Sequence, residues 1–166
     1  MQKYRSKVEY DGRSYVGWQR QDNGPSIQAA VEEAILNFCG EQVEVIAAGR
    51  TDSGVHALGM TTHFALLNNN HDPATVRKAI NFHLGSQPIK IIETEIVPDS
   101  FHARFSAIER RYLYRILNRQ SPPTLDSGRV WHVPRKLDIA EMQEAAEILI
   151  GEHDFSSFRA KDCQAA

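Results

Sequence analysis

Two amphipathic helical segments, each capped at its start and stopped by a glycine, alternate with strand-like runs and leave the N-terminal part of this chain few ways to fold. The first helix begins after Pro25 with Ser26 at the N-cap. Ile27, Val31, Ile35 and Phe38 recur at helical spacing, and Gly40 stands where a helix-ending glycine belongs. The second opens with Asp72 as cap and Pro73 at the first helical position, where its missing N–H costs nothing. Val76, Ala79, Ile80 and Leu84 form its apolar stripe, and Gly85 ends it. Around them, Tyr4 to Tyr10, Val43 to Ala48, Leu58 to Leu66 and Ile89 to Val97 read as strands. This βαββαβ order is the ferredoxin-like pattern of an α+β unit. Two helices are expected to cover one face of an antiparallel sheet, with the other face left free for a ligand.

A second unit is expected from about Phe105, dividing the chain into residues 1–104 and 105–166. Arg110 to Asn118 alternates, with Arg110, Tyr112, Tyr114 and Ile116 on one side and Arg111, Leu113, Arg115 and Leu117 on the other. Ser121-Pro122-Pro123 makes a loop, and Val130 to Val133 suits a short strand. Asp138 then caps a helix with Glu141 three residues on, as in a capping box. Ile139, Met142, Ala146 and Leu149 would form its inner face, and Gly151 would stop it.

The 166 residues, 42% hydrophobic and 24% charged, match an ordinary globular protein. Met1-Gln2-Lys3-Tyr4-Arg5 is not a secretory leader, and no apolar run approaches the roughly 18 residues of a membrane helix. Cys39 and Cys163 make no disulfide framework and suit reduced thiols, so the cytoplasm is the expected location. A net charge of −2 argues mildly against a nucleic-acid partner. Its distribution points the other way. Arg104, Arg110, Arg111, Arg115 and Arg119 face a single acid, Glu109, between Phe101 and Arg119, while acids gather on the helices. One positive face would serve to steer RNA, and an arginine-rich solvated strand is the competing reading.

Between the second and third strands lies Gly49-Arg50-Thr51-Asp52-Ser53-Gly54-Val55-His56-Ala57. A short carboxylate stands there between glycines, two residues after an arginine, on a loop held by strands, where chemistry tends to sit. On those nine residues alone an Asp-Ser-Gly turn is the simpler reading. The surroundings reverse it. Tyr10-Asp11-Gly12 with Gly17-Trp18-Gln19-Arg20-Gln21 precedes the loop. Phe101-His102-Ala103-Arg104-Phe105-Ser106-Ala107 with Arg110-Arg111-Tyr112, then Gly151-Glu152-His153-Asp154-Phe155-Ser156-Ser157-Phe158, follow it. These four ordered blocks resemble the TruA-type tRNA pseudouridine synthases along nearly the whole chain.

The resemblance implies an isomerase that converts uridine to pseudouridine at positions 38, 39 and 40 of the tRNA anticodon arm. It implies Asp52 as the catalytic nucleophile, Arg50 in the space vacated by an extruded base, and Tyr112 against the flipped uracil. By the same likeness Phe101, Arg104 and Arg20 lie near or contact the RNA, and the protein is a homodimer with one tRNA reaching across both subunits. The family continues past Ala166 to complete a second domain of similar architecture, so residues 105–166 are expected to be an incomplete part of one. An arginine from a later Val-Arg motif would pair with the catalytic aspartate, and the 166-residue form is therefore expected to be silent.

The chemistry suits the residues. Moving uracil from N1 to C5 involves no redox change, so no nicotinamide or flavin is required. A carboxylate is a known covalent catalyst, and it would attack the base or C1′, or promote elimination at the sugar. Extruding a stacked uridine costs a few kcal/mol. The planar guanidinium of Arg50 suits the vacated space, and a base stacked on Tyr112 would gain roughly 1–3 kcal/mol. A core tyrosine and a surface ion pair are the competing readings for those two residues. Trp18 is either a packing anchor or part of the RNA groove. His56 reads as a hydrogen-bonding support, and the histidines lack metal-ligand spacing, so no metal is expected. Two other classes compete: a non-catalytic ferredoxin-like RNA-binding module, which would need aromatics on its central strands, and an aspartate-nucleophile phosphatase, which would need a metal or a second carboxylate.

Overall fold

A computed structural model describes residues 1–68 and 71–158, which form two compact units, Met1–Tyr112 and one from Leu113 onward. Cys163 lies outside the described residues.

In the first unit β1 (Gln2–Tyr10), α1 (Ile27–Cys39), β2 (Ile46–Ala47), β3 (Ala57–Leu66), α2 (Pro73–Leu84) and β4 (Ile89–Ile96) follow in the expected order. The sheet runs β2-β3-β1-β4 with every neighbour antiparallel. That is the split order of a ferredoxin-like sheet. On β1 the pleat sends Tyr4, Ser6, Val8 and Tyr10 to the buried side, in one core with Phe64 and Leu66 of β3 and Ile89 and Ile91 of β4. Ile27, Val31 and Ile35 of α1 and Val76, Ile80 and Leu84 of α2 close this core, and the two helices pack against each other. Tyr4 stacks on Phe64 with ring centroids 5.6 Å apart.

The helix ends follow their caps. Ser26 Oγ accepts from the Ala29 N–H at 3.2 Å, and Gly40 donates back to the Leu36 carbonyl. Asp72 accepts from the Ala74 and Thr75 N–H groups. Its bonds from the Thr75 hydroxyl and these amides hold its carboxyl below the ordinary carboxylate value.

The second strand is far shorter than Val43 to Ala48. Ile46 and Ala47 pair with β3, opposite His63 and Thr62, and the Ala48 N–H donates to the Thr61 carbonyl at 2.8 Å. The backbone of Val45 is claimed by α1 instead: its N–H donates to Glu32 Oε1 at 3.0 Å and its carbonyl accepts from Gln28 Nε2 at 3.3 Å. Glu41 then takes the N–H groups of Leu67 and Asn68, at 2.6 and 3.0 Å. Side chains of Gln28 and Glu32 on α1, and of Glu41 just beyond its end, thus satisfy backbone that the sheet leaves unpaired.

The second unit holds β5 (Ile116–Asn118), β6 (Trp131–Val133) and α3 (Ile139–Glu147). The long strand expected over Arg110 to Asn118 is reduced to its last three residues. Alternation supplies a face but no partner, and among the described residues only β6 pairs here, in parallel. Asn118 secures that pair through its side chain, donating to the carbonyls of Val133 and Arg135. Asp138 caps α3 by accepting from Ala140 and Glu141. The expected inner face is not inside the unit: Ile139, Met142 and Leu149 are all exposed. No helix among the described residues is long and apolar enough to cross a membrane.

Val45 is 1% exposed, so removing the Glu32 carboxylate strands a buried N–H. Glu32→Ala should therefore cost about 1–3 kcal/mol, read as a lowered thermal midpoint. Exposed Glu33→Ala on the same helix should stay within about 0.5 kcal/mol of wild type. Equal effects would mean that Glu32 does not hold this segment.

Candidate active site

The loop from Ala48 to His56 joins β2 to β3 and rests along its length on residues 10–18. Tyr10 hydroxyl and Thr51 Oγ1 are 2.8 Å apart, and the Trp18 N–H donates to the Thr51 carbonyl at 3.0 Å. Ser53 Oγ and the Gly54 N–H both donate to the Tyr15 carbonyl, at 3.3 and 3.4 Å. The Gly12 N–H donates to His56 Nδ1 at 3.3 Å, and that nitrogen lies 3.2 Å from Asp11 Oδ1, a carboxylate that Arg13 also grips. His56 is a support for the loop, as its sequence context suggested. Between these anchors the Val55 N–H closes a turn onto the Asp52 carbonyl at 3.2 Å.

Two glycines make this contact possible. A β-carbon on Gly12 would fall 2.0 Å from the Val55 oxygen, and one on Gly17 would fall 2.6 Å from the Thr51 oxygen. Gly17 also has φ +121°, which side chains rarely tolerate. Trp18, 2% exposed with its ring 6.0 Å from Tyr10, is a packing anchor under the loop. Burial pushes the Tyr10 hydroxyl above its ordinary value, so it remains a neutral donor and acceptor.

The bonds from residues 10–18 fall on Thr51, Ser53, Gly54 and His56, and of Asp52 only the backbone carbonyl is bonded, to Val55. Asp52 and Arg50 are exposed, and among the described residues neither side chain has an ion-pair partner. Arg20 points elsewhere: its guanidinium pairs with Glu32 on α1 at 2.6 Å.

The face of the sheet expected to be free is partly covered. Lys3 holds the chain after β4 by donating to the carbonyls of Asp99 and Phe101. The Ala103 N–H then donates to His63 Nδ1 at 3.1 Å, and Ala103 is buried there. The His63 ring meets Phe101 edge-on at 6.0 Å and His102 at 4.8 Å. Arg104 follows, its guanidinium 5.8 Å from the Phe105 ring. Arg110 joins this segment to the Asp52 loop. Its Nε donates to the Ala48 carbonyl at 2.9 Å and its NH2 to the Arg104 carbonyl at 3.0 Å. Tyr112, at the end of the first unit, is 83% exposed.

Thus Arg50 and Asp52 share one loop, Phe101 and Arg104 share the segment tied to its root, and Arg20 stands apart. Two cavities, of about 330 and 420 Å³, lie elsewhere and are lined by none of Arg50, Asp52 and Tyr112. No group of three or more His, Cys, Asp or Glu side chains among the described residues could hold a metal ion. Reasoning from sequence missed His63 and Arg110 as fasteners; the run of apolar and β-branched residues around His63 said only that it lies in a strand.

Burial, then the nearby His102 and Lys3, lowers the His63 pKa to about 4. The unfolded chain would take up that proton near 6.5. Between about pH 6.5 and 4 unfolding therefore binds a proton, and the folded state loses stability as pH falls. His63→Asn keeps an acceptor for Ala103 but does not titrate. The gap in thermal midpoint between wild type and this variant should shrink from about pH 7.5 to about pH 5. A constant gap would mean that His63 is not held neutral.

Comparison with known proteins identifies relatives of the chain. Residues 7–106 match the family model described as tRNA pseudouridine synthase. The chain is 59% identical over 165 residues to tRNA pseudouridine synthase A of Rhodospirillum rubrum, covering 99% of this chain and 59% of that protein. The protein of the same name from Rhodospirillum centenum is 55% identical, and that from Parvibaculum lavamentivorans 50%, each covered to 67%. The chain thus spans about three-fifths to two-thirds of the length of these curated relatives.

Proposed function

This chain belongs to the tRNA pseudouridine synthase family, and from that premise we propose that the protein isomerises uridine to pseudouridine in the anticodon arm of tRNA, at positions 38, 39 and 40, with Asp52 as nucleophile. The N1–C1′ bond breaks, a C5–C1′ bond forms, C5 gives up its proton and N1 takes one. Atoms and electrons balance without an oxidant or reductant.

The observation that carries this reading is the contrast within one loop. The loop is bonded through the backbone at Thr51 and Gly54 and through the side chains of Thr51, Ser53 and His56, while Asp52 is exposed and makes no ion pair among the described residues. A nucleophile needs that combination of fixed direction and free lone pairs. Arg50, two residues away and also exposed, takes the place of the extruded base. Tyr112 offers an exposed ring for stacking the uracil. Phe101 and Arg104 border this region through the Arg110 link, and Arg20 contacts RNA from the α1 side. In this proposal the protein works in the cytoplasm as a homodimer, with one tRNA spanning both subunits.

Asp52→Asn preserves size and removes the charge. In the full-length protein it should bind tRNA within about threefold of wild type and lose more than about a thousandfold in pseudouridine formation. Activity within tenfold of wild type would refute Asp52 as nucleophile. Arg50→Ala should lower the single-turnover rate on a structured anticodon arm even at saturating tRNA. A rate fully restored by excess tRNA would make Arg50 a binding contact only.

A further inference from the structure

We propose that Tyr10 is a positioning residue for Asp52, acting through the hydrogen bond between its hydroxyl and that of Thr51. The inference rests on the reading of Asp52 as the reacting carboxylate, and it gives the Tyr10-Asp11-Gly12 block a role that the chemistry alone does not.

Thr51 is held twice, its carbonyl by the Trp18 N–H at 3.0 Å and its hydroxyl by Tyr10 at 2.8 Å. A β-branched side chain has few χ1 choices, so fixing its hydroxyl fixes the backbone that carries it. That backbone continues directly into Asp52, whose carbonyl closes the turn with Val55. Tyr10 is itself buried, 3% exposed, with its ring beside that of Trp18.

A second feature points the same way. The β1–β3 register breaks between Val8, opposite Met60, and Tyr10, opposite Ala57. A bulge of this kind re-aims a side chain and is common beside active sites. Here the residue just past the break is the one whose hydroxyl reaches the loop. None of these bonds touches the Asp52 carboxylate, so direction is imposed from the neighbouring residue while the reacting oxygens stay free.

A purely structural hydrogen bond and a positioning one separate in a double-variant test. Losing one hydroxyl leaves the other without its partner, whereas losing both is nearly neutral for stability. Full-length wild type, Tyr10→Phe, Thr51→Val, Thr51→Ser and the Tyr10→Phe/Thr51→Val double variant would be compared. Single-turnover pseudouridine formation at saturating tRNA, tRNA affinity and thermal midpoint would be measured for each. Tyr10→Phe and Thr51→Val should each slow the reaction by about 10- to 100-fold with affinity within about twofold. Thr51→Ser should keep most of the rate. The double variant should regain thermal midpoint yet stay as slow as the slower single variant.

A Tyr10→Phe rate within twofold of wild type would overturn the proposal, as would Thr51→Ser as slow as Thr51→Val. So would a double variant whose rate recovers together with its thermal midpoint. Wild type that forms no pseudouridine would instead overturn the reading of function. Amide exchange across residues 49–57 would then still decide the hydroxyl pair: faster exchange in Tyr10→Phe supports it, and unchanged exchange overturns it.

Discussion

The backbone of Thr51 to Val55 lies so close to Gly12 and Gly17 that neither position has room for a β-carbon. This contact lets one polar loop sit directly against the backbone of the N-terminal segment at both glycines. The remaining anchors act only at that distance: the Tyr10 hydroxyl, the Trp18 and Gly12 amides and the Tyr15 carbonyl all reach the loop because the two backbones touch. A side chain at either glycine would push the loop outward and lengthen several bonds together.

The core exists in part to hold that segment still. Tyr10 ends β1 and Trp18 is buried beside it, so both sides of the support are continuous with the sheet-and-helix interior. On the opposite face, Lys3 and His63 fasten the chain after β4, and Arg110 carries the connection to the loop's root at Ala48. The arrangement leaves the middle of the loop, Asp52 and its neighbour Arg50 included, facing outward.

Much of the fold was legible because it depends on local rules. Ser26 with Gly40, and Asp72 with Pro73 and Gly85, mark the two helices within a residue of their ends. Alternation around Tyr4 to Tyr10 marks β1. What was not legible is where unpaired backbone finds its partner. Val43 to Val45 has strand composition, yet the backbone bonds of Val45 go to Glu32 and Gln28 of a helix, which no periodicity records. Arg110 to Asn118 alternates like a strand, but pairing is a property of two segments and only β6 meets its end. His63 reads as a polar residue on an open face, and only the return of residues 98–106 across it makes it a buried acceptor. Of the candidate site, the loop and its place between two strands were evident from sequence. The Arg20–Glu32 pair and the Tyr10–Thr51 bond join residues too far apart in the chain for spacing to suggest them.

The central claim is that contact between the two backbones sets the position of Asp52. Its most direct test is the single-turnover rate of Gly17→Ala in the full-length protein, with Gly40→Ala as control. Both glycines have positive φ, so both substitutions strain the backbone, but a β-carbon at Gly40 meets nothing within 4 Å. Pseudouridine formation should fall at least about tenfold in Gly17→Ala at saturating tRNA and stay near wild type in Gly40→Ala, although both lose thermal stability. A wild-type rate from Gly17→Ala, or an equal loss from both variants, would contradict the claim.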